Sequence, residues 1–380
     1  MRLQVDEADF IDEGSFGKIY AARVISSRTT VPQDIVVKKG RSATDYKFAK
    51  NPMLLHEACA MLELRGHPNI PAVYSWGRSQ MFEYLVMERL GKDIREPLRS
   101  TSTGLTMRNL VALTCQMIDA VEHVHAHHII HCDIKPGNFL FDLQLASGYI
   151  KLIDFGIARI YRDRNTLRHV PESTITEHIG TRRYTSVNVH LHRNPSRRDD
   201  MVSLAYSIIN LLCNWLPWSR MEDADEVFAL KQMWTGADLC AGYPAVFGDF
   251  LDYTRSLGYQ DTPDYAGWRS RFLSVAPELD GKPLYKAGDY GPKVGRRASD
   301  SSPSGVAVDP KPESHRPERM RSVTPPNLSQ FGICVPYSTW MGAVSVADEH
   351  LIGDERAMVR QLEPLEDPPM HDYEGEVMVD

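Results

Sequence analysis

One short stretch constrains this chain more than any other: His131-Cys132-Asp133-Ile134-Lys135-Pro136-Gly137-Asn138-Phe139-Leu140. It sets a carboxylate, then an amine two residues on, then an amide five residues on. Further along comes Ile153-Asp154-Phe155-Gly156, a second carboxylate behind a run of strand-forming residues. Each stretch alone is moderately specific. Together, in this order and at this distance, they leave little room for chance.

The rest of the composition narrows the class. A chain of 380 residues allows one large two-lobed domain with a tail, or two domains. Its 42% hydrophobic content can build a sizeable core. No apolar run approaches the ~20 residues a membrane helix needs, and Met1-Arg2-Leu3-Gln4-Val5-Asp6-Glu7 has no apolar signal region. Cys59, Cys115, Cys132, Cys213, Cys240 and Cys334 lack the close pairing of a zinc or redox motif. With no export signal they are expected to be free thiols in a reducing compartment. The net charge of −7 argues against a general nucleic-acid binder.

The first stretch resembles the protein-kinase catalytic loop, and Asp154-Phe155-Gly156 resembles the magnesium element of the same family. The resemblance implies ATP and Mg2+. Asp133 would accept the proton of an attacking hydroxyl, Lys135 would sit beside the moving phosphoryl group, and Asn138 and Asp154 would hold metal. Ile11 to Tyr20 is similar to the glycine-rich loop over the ATP phosphates, with Ile11, Gly14, Gly17 and Ile19 as nucleotide-binding positions. Asp12 replaces the first glycine, which is expected to weaken ATP binding unless the side chain turns outward. By itself this loop also reads as an ordinary hairpin; its place before a lysine strand favours the nucleotide. In Asp34-Ile35-Val36-Val37-Lys38-Lys39, Lys38 would meet the α- and β-phosphates, while alternation turns Lys39 to the other face. A helix is expected from near Asn51 to Leu64, with Pro52 in its first turn. Glu57 is the expected partner of Lys38, and Glu63 the competing choice. Met87 would guard the back of the adenine pocket. Glu88 to Leu90 would offer it backbone hydrogen bonds, and Gly91 would relax the link to the second lobe. Thr106 is an expected N-cap for a core helix carrying Leu110, Leu113, Met117, Val121 and Val124. His123, His125, His127 and His128 read as a helix end rather than a metal cluster.

Downstream the likeness narrows. Ser186-Val187-Asn188, Arg197-Arg198-Asp199-Asp200, Ser203-Leu204 and Leu216-Pro217-Trp218 are similar to stretches of the casein kinase 1 family, as are Gly242-Tyr243-Pro244 and Pro263-Asp264-Tyr265. This implies an α+β, two-lobed protein-kinase fold: a small antiparallel-sheet lobe with one helix, then a larger helical lobe. It implies transfer to Ser or Thr of acidic or phospho-primed protein partners, with Asp200 anchoring the catalytic loop from a buried helix. Two departures stand out. Cys132 replaces the arginine that holds an activating phosphate, so the activation segment is expected to order without one. Arg182 and Arg183 would bind the substrate anion, but Ser219-Arg220-Met221-Glu222-Asp223-Ala224-Asp225-Glu226 replaces the expected lysines. That puts priming and nuclear import by this route in question. Residues 151–200 carry ten Lys/Arg against six Asp/Glu, either as a patch for acidic peptides or as arginines paired with Asp163, Asp199 and Asp200. The alternative to an active enzyme is a pseudokinase scaffold.

The expected kinase domain is 1–280, with an N-lobe to about 87, a hinge at 88–91 and a C-lobe from 92. Residues 281–330, rich in Pro and Ser, read as a disordered linker. Residues 331–380 carry an apolar island, with Phe331, Ile333, Val335, Tyr337, Trp340 and Met341, and then an acidic end. That end holds eleven Asp/Glu against two Arg in 347–380. It either docks on Arg182 and Arg183 or simply solvates the tail. The chain is expected to be a cytoplasmic monomer, with the nucleus as a second compartment.

Overall fold

The computed structural model describes residues 1–14, 17–41, 53–79, 81–100, 103–279 and 283–292. Its first lobe is a six-stranded antiparallel sheet: β1 (Arg2–Gln4), β2 (Phe10–Gly14), β3 (Gly17–Ser26), β4 (Asp34–Arg41), β5 (Val73–Arg78) and β6 (Phe82–Glu88). The order is β1-β3-β4-β6-β5, with β2 folded back on β3. Strand alternation gives the two faces different work. Ile35 and Val37 of β4 join Met1, Leu3, Tyr84 and Val86 in a small outer core. Val36 and Lys38 face the other way, where α1 (Met53–Glu63) covers the sheet. Lys39 lies on the outer side with its ammonium 3.9 Å from the centre of the Phe82 ring. Asn51 and Pro52, expected in the first turn of α1, lie outside the described residues.

The second lobe is mainly helical. After β7 (Leu90–Asp93), α2 (Glu96–Ser100) and β8 (Thr103–Leu105) comes α3 (Met107–Ala126). Thr106 caps α3 by accepting the Asn109 N–H. Leu110, Leu113, Met117, Val121 and Val124 are all buried along one stripe of it. Then follow β9 (Ile129–Ile130), β10 (Phe139–Asp142), β11 (Ile150–Leu152), β12 (Arg159–Ile160) and α4 (Val187–His190). The lobe is built around α5 (Arg197–Cys213), which starts with the Asp199 carboxylate accepting the Ser196 N–H at 2.8 Å. Met201, Leu204, Ala205 and Ile208 of α5 are buried. Helices α6 (Ala224–Met233), α7 (Gly236–Leu239), α8 (Val246–Ser256) and α9 (Tyr265–Leu273) complete it. No helix among the described residues is long and apolar enough to cross a membrane.

The described residues continue past the boundary expected at 280. Residues 283–292 end in β13 (Tyr290–Pro292), antiparallel to β8. Buried Asn109 donates to the carbonyls of Lys286 and Asp289 and accepts the Lys286 N–H. Gln116 donates to Pro283 O, and Tyr285 packs at a tilt against Phe141, ring centres 4.6 Å apart. This strap holds by side chains gripping backbone, so polar composition does not prevent it from ordering. The apolar island and the acidic end lie outside the described residues.

Candidate active site

The site forms where the two lobes meet. Lys38 is 5% exposed and donates to Glu57 Oε2 at 2.7 Å and to Asp154 Oδ1 at 3.0 Å. Burial opposes its charge, but the two carboxylates outweigh that and hold the ammonium above its ordinary value. Asp154 moves the other way: burial would raise it, and Lys38 pulls it below the usual carboxylate range. Of the two candidate partners for Lys38, the one six residues further along α1, Glu63, instead pairs with Arg164 at 3.1 Å. Phe155 is fully buried and packs edge-on against His131 at 4.9 Å, which fixes Asp154 toward the cleft.

The catalytic loop is pinned from beneath. Asp200, buried at the start of α5, accepts the N–H groups of His131 at 2.7 Å and Cys132 at 2.9 Å. It also accepts His125 Nε2 at 3.0 Å, which leaves His125 Nδ1 to take the Tyr265 hydroxyl at 2.6 Å. Burial holds His125 below its ordinary pKa, in agreement with a neutral ring. His131 Nδ1 accepts the Asp133 N–H, so its Nε2–H is the one donated to Ile153 O at 3.0 Å. These bonds join the catalytic loop to the segment carrying Asp154.

Asp133 Oδ2 accepts Lys135 Nζ at 2.6 Å, and Oδ1 accepts the Thr181 N–H at 2.8 Å. Lys135 also donates to Thr181 Oγ1 at 3.1 Å. Asn138 spends its Nδ2 on Asp133 O at 2.9 Å, leaving Oδ1 as an acceptor. Asn138 Oδ1 and the ionised Asp154 carboxylate are hard oxygen donors of the kind magnesium takes, so the residues fit that ion. Among the described residues no group of three or more His, Cys, Asp or Glu could itself hold a metal, and the histidines near 125 do other work. His123 meets Leu64 O, and His127 meets His123 O.

The roof is open. Ile11 is 46% exposed, whereas Ile19 packs partly against the main core. Asp12 is exposed and its Oδ1 accepts the Glu13 N–H at 2.8 Å. Gly17 has φ of 147°, and a Cβ there would lie 2.2 Å from Lys39 O, so glycine is required. Gly14 has no such crowding, only Gly17 O at 3.9 Å. Met87 is buried behind the hinge. The Glu88 N–H already donates to Ala72 O, so its carbonyl is what this residue can offer an adenine, with Leu90 next along. The Glu88 side chain ties the hinge to Lys151 at 3.2 Å.

Below the loop, Cys132 stands where the arginine was expected. It sits with Ile130, Tyr161 and Ile179 in a small apolar cluster. Burial raises its thiol well above the ordinary value. The segment that follows Asp154 is tied down by the Tyr161 hydroxyl donating to His125 O and by Arg197 donating to Tyr161 and Gln260 O. Arg198 pairs with Glu172 at 2.8 Å and lies 3.5 Å from Asp199. Arg182 and Arg183 are different: both are exposed and donate to carbonyls, of Glu222 at 2.5 Å and Ser219 at 2.7 Å.

Sequence reasoning missed Thr181 and Lys231, and read His125 only as part of a helix end, without its bond to Asp200. Lys231 is fully buried and donates to the carbonyls of Arg182 at 2.7 Å and Thr185 at 2.6 Å, close to His190. Burial drives it well below the ordinary lysine value. Its partners lie more than 40 residues away, so no local spacing announces it.

This arrangement is that of a protein kinase domain, and the family described as protein kinase domain matches residues 6–240. The chain belongs to the protein kinase family. Within it the chain is a casein kinase 1 member: it is 34% identical over 325 residues to casein kinase I homolog RAG8 of Kluyveromyces lactis, across 83% of this chain. The alignment spans 57% of that relative's length.

Proposed function

We propose that the protein is an ATP-dependent serine/threonine kinase that acts on acidic or phospho-primed proteins. The observation that carries this reading is the buried Lys38, bonded at once to Glu57 and Asp154. That arrangement sets a cation where ATP phosphates would lie and leaves the Asp154 carboxylate ionised. Asp133 orients and deprotonates the substrate hydroxyl. Lys135, already bonded to Asp133 and Thr181, stays beside the transferred group and offsets its charge. Thr181 keeps the Asp133 carboxylate aimed by donating to the oxygen that Lys135 does not use. Magnesium, held by Asn138 and Asp154, would neutralise charge on the phosphates. Chemistry here is mostly positioning, because the groups are prebonded in their working geometry.

Substrate choice follows from Arg182 and Arg183. Each spends one N–H on a carbonyl and keeps others for an anion. Arg182 donates to the Glu222 carbonyl, and the acids Glu222, Asp223, Asp225 and Glu226 stand in the chain where the expected lysines are missing, which limits how much negative charge this side tolerates. Replacing both arginines with alanine should raise KM for an acidic serine peptide by about tenfold. kcat should change little, and the effect should shrink as salt rises. Equal KM values for the two proteins at low salt would remove the arginines from substrate recognition. Radiolabel found on tyrosine rather than serine or threonine would overturn the class of acceptor.

A further inference from the structure

A second cavity, of about 280 Å³, opens on the larger lobe and shares no residue with the active site. Leu98, Leu105, Met107, Leu110, Leu212 and Tyr243 give it an apolar lining, with exposed Asn214 at its edge. One wall is the strap: Gly291 of β13 and Gly104 of β8 both line the cavity. The domain has therefore already drawn ten residues of its C-terminal extension onto this face, and the cavity continues that contact.

The described chain ends at Pro292, one residue past the cavity wall, and residues 293–380 follow. Within them the apolar side chains concentrate between Phe331 and Met341. The intervening 293–330 is polar and proline-rich and offers little to fill such a cavity. A random coil of that length has a root-mean-square span of roughly 30–35 Å. That makes the encounter intramolecular, at an effective concentration on the order of millimolar. A cavity of this volume accepts one large aromatic side chain, and Phe331, Tyr337 and Trp340 are the aromatics of that segment, Phe331 and Trp340 the two most apolar.

We infer that the segment Phe331–Met341 docks in this cavity of its own chain, placing an aromatic side chain between Leu105, Leu110 and Leu212. Docking gathers the polar linker into a loop and fixes the start of the acidic end against the larger lobe.

Two measurements on the full chain test this. Cys334 lies inside the segment, so an Asn214→Cys chain treated with a short bismaleimide should join positions 214 and 334 within one molecule. Burial holds the neighbouring Cys213 thiol up at about 12, which keeps it from competing. Phe331→Asp with Trp340→Asp should lower the yield at least tenfold. Cross-links only between molecules would assign the cavity to a second copy, and a yield indifferent to the two aspartates would overturn the proposal. The second measurement needs no change in the folded domain. Amide exchange at 104–110 should be slower in the native chain than in the Phe331→Asp, Trp340→Asp chain. Equal rates would overturn it.

Discussion

At the scale of single residues, the active site is held by groups that each serve two partners. Lys38 joins Glu57 to Asp154, and Asp200 joins two loop amides to His125. Some of this was legible: alternation along β4 separates Lys38 from Lys39 without any structure. Thr181 was not, because its role comes from meeting Asp133 and Lys135 across 46 and more residues of chain. Cys132 carries a prediction of its own. A thiol held in apolar surroundings above its ordinary pKa is mostly protonated and poorly nucleophilic. Iodoacetamide at neutral pH should leave Cys132 unmodified in the folded protein and modify it after unfolding. Rapid labelling in the native state would show that the apolar cluster does not shield it.

At the scale of elements, the decisive packing is that of the strap on α3. The sequence boundary was set where composition turned polar, but backbone carbonyls gripped by Asn109 and Gln116 leave no hydrophobic pattern to read. Asn109→Ala should release β13 from β8 and cost about 1–3 kcal/mol, since buried carbonyls lose their donor. The check is urea unfolding together with amide exchange at 285–291, which should quicken. A stability change below about 0.5 kcal/mol with unchanged exchange would mean that strand pairing alone holds the strap. The long helices were more legible: Thr106 caps α3 and the apolar stripe is buried as its spacing requires.

At the scale of the whole molecule, the core depends on imidazoles staying neutral. His56 and His125 are buried, and burial holds both below the ordinary value of 6.5. The unfolded chain therefore binds protons that the folded one refuses. Stability should fall as pH drops below about 6.5, by roughly 1.4 kcal/mol per unit for each such histidine, and flatten once the folded-state values are passed. Thermal unfolding between pH 7.5 and 5 reads this directly. A His56→Phe chain should show a shallower slope, and an identical slope would mean His56 titrates alike in both states.

The two-lobed fold was legible because its motifs are local, whereas the bonds that join the lobes are not. The central claim is that this joined arrangement transfers phosphate with Asp133 as base. The most direct test measures magnesium-dependent phosphoryl transfer from ATP to an acidic, serine-rich protein, comparing the native chain with Asp133→Asn. Native transfer that falls about 10²–10⁴-fold in the variant, with thermal stability preserved, is the predicted result. No transfer by the folded native protein, or equal transfer by both, would contradict it.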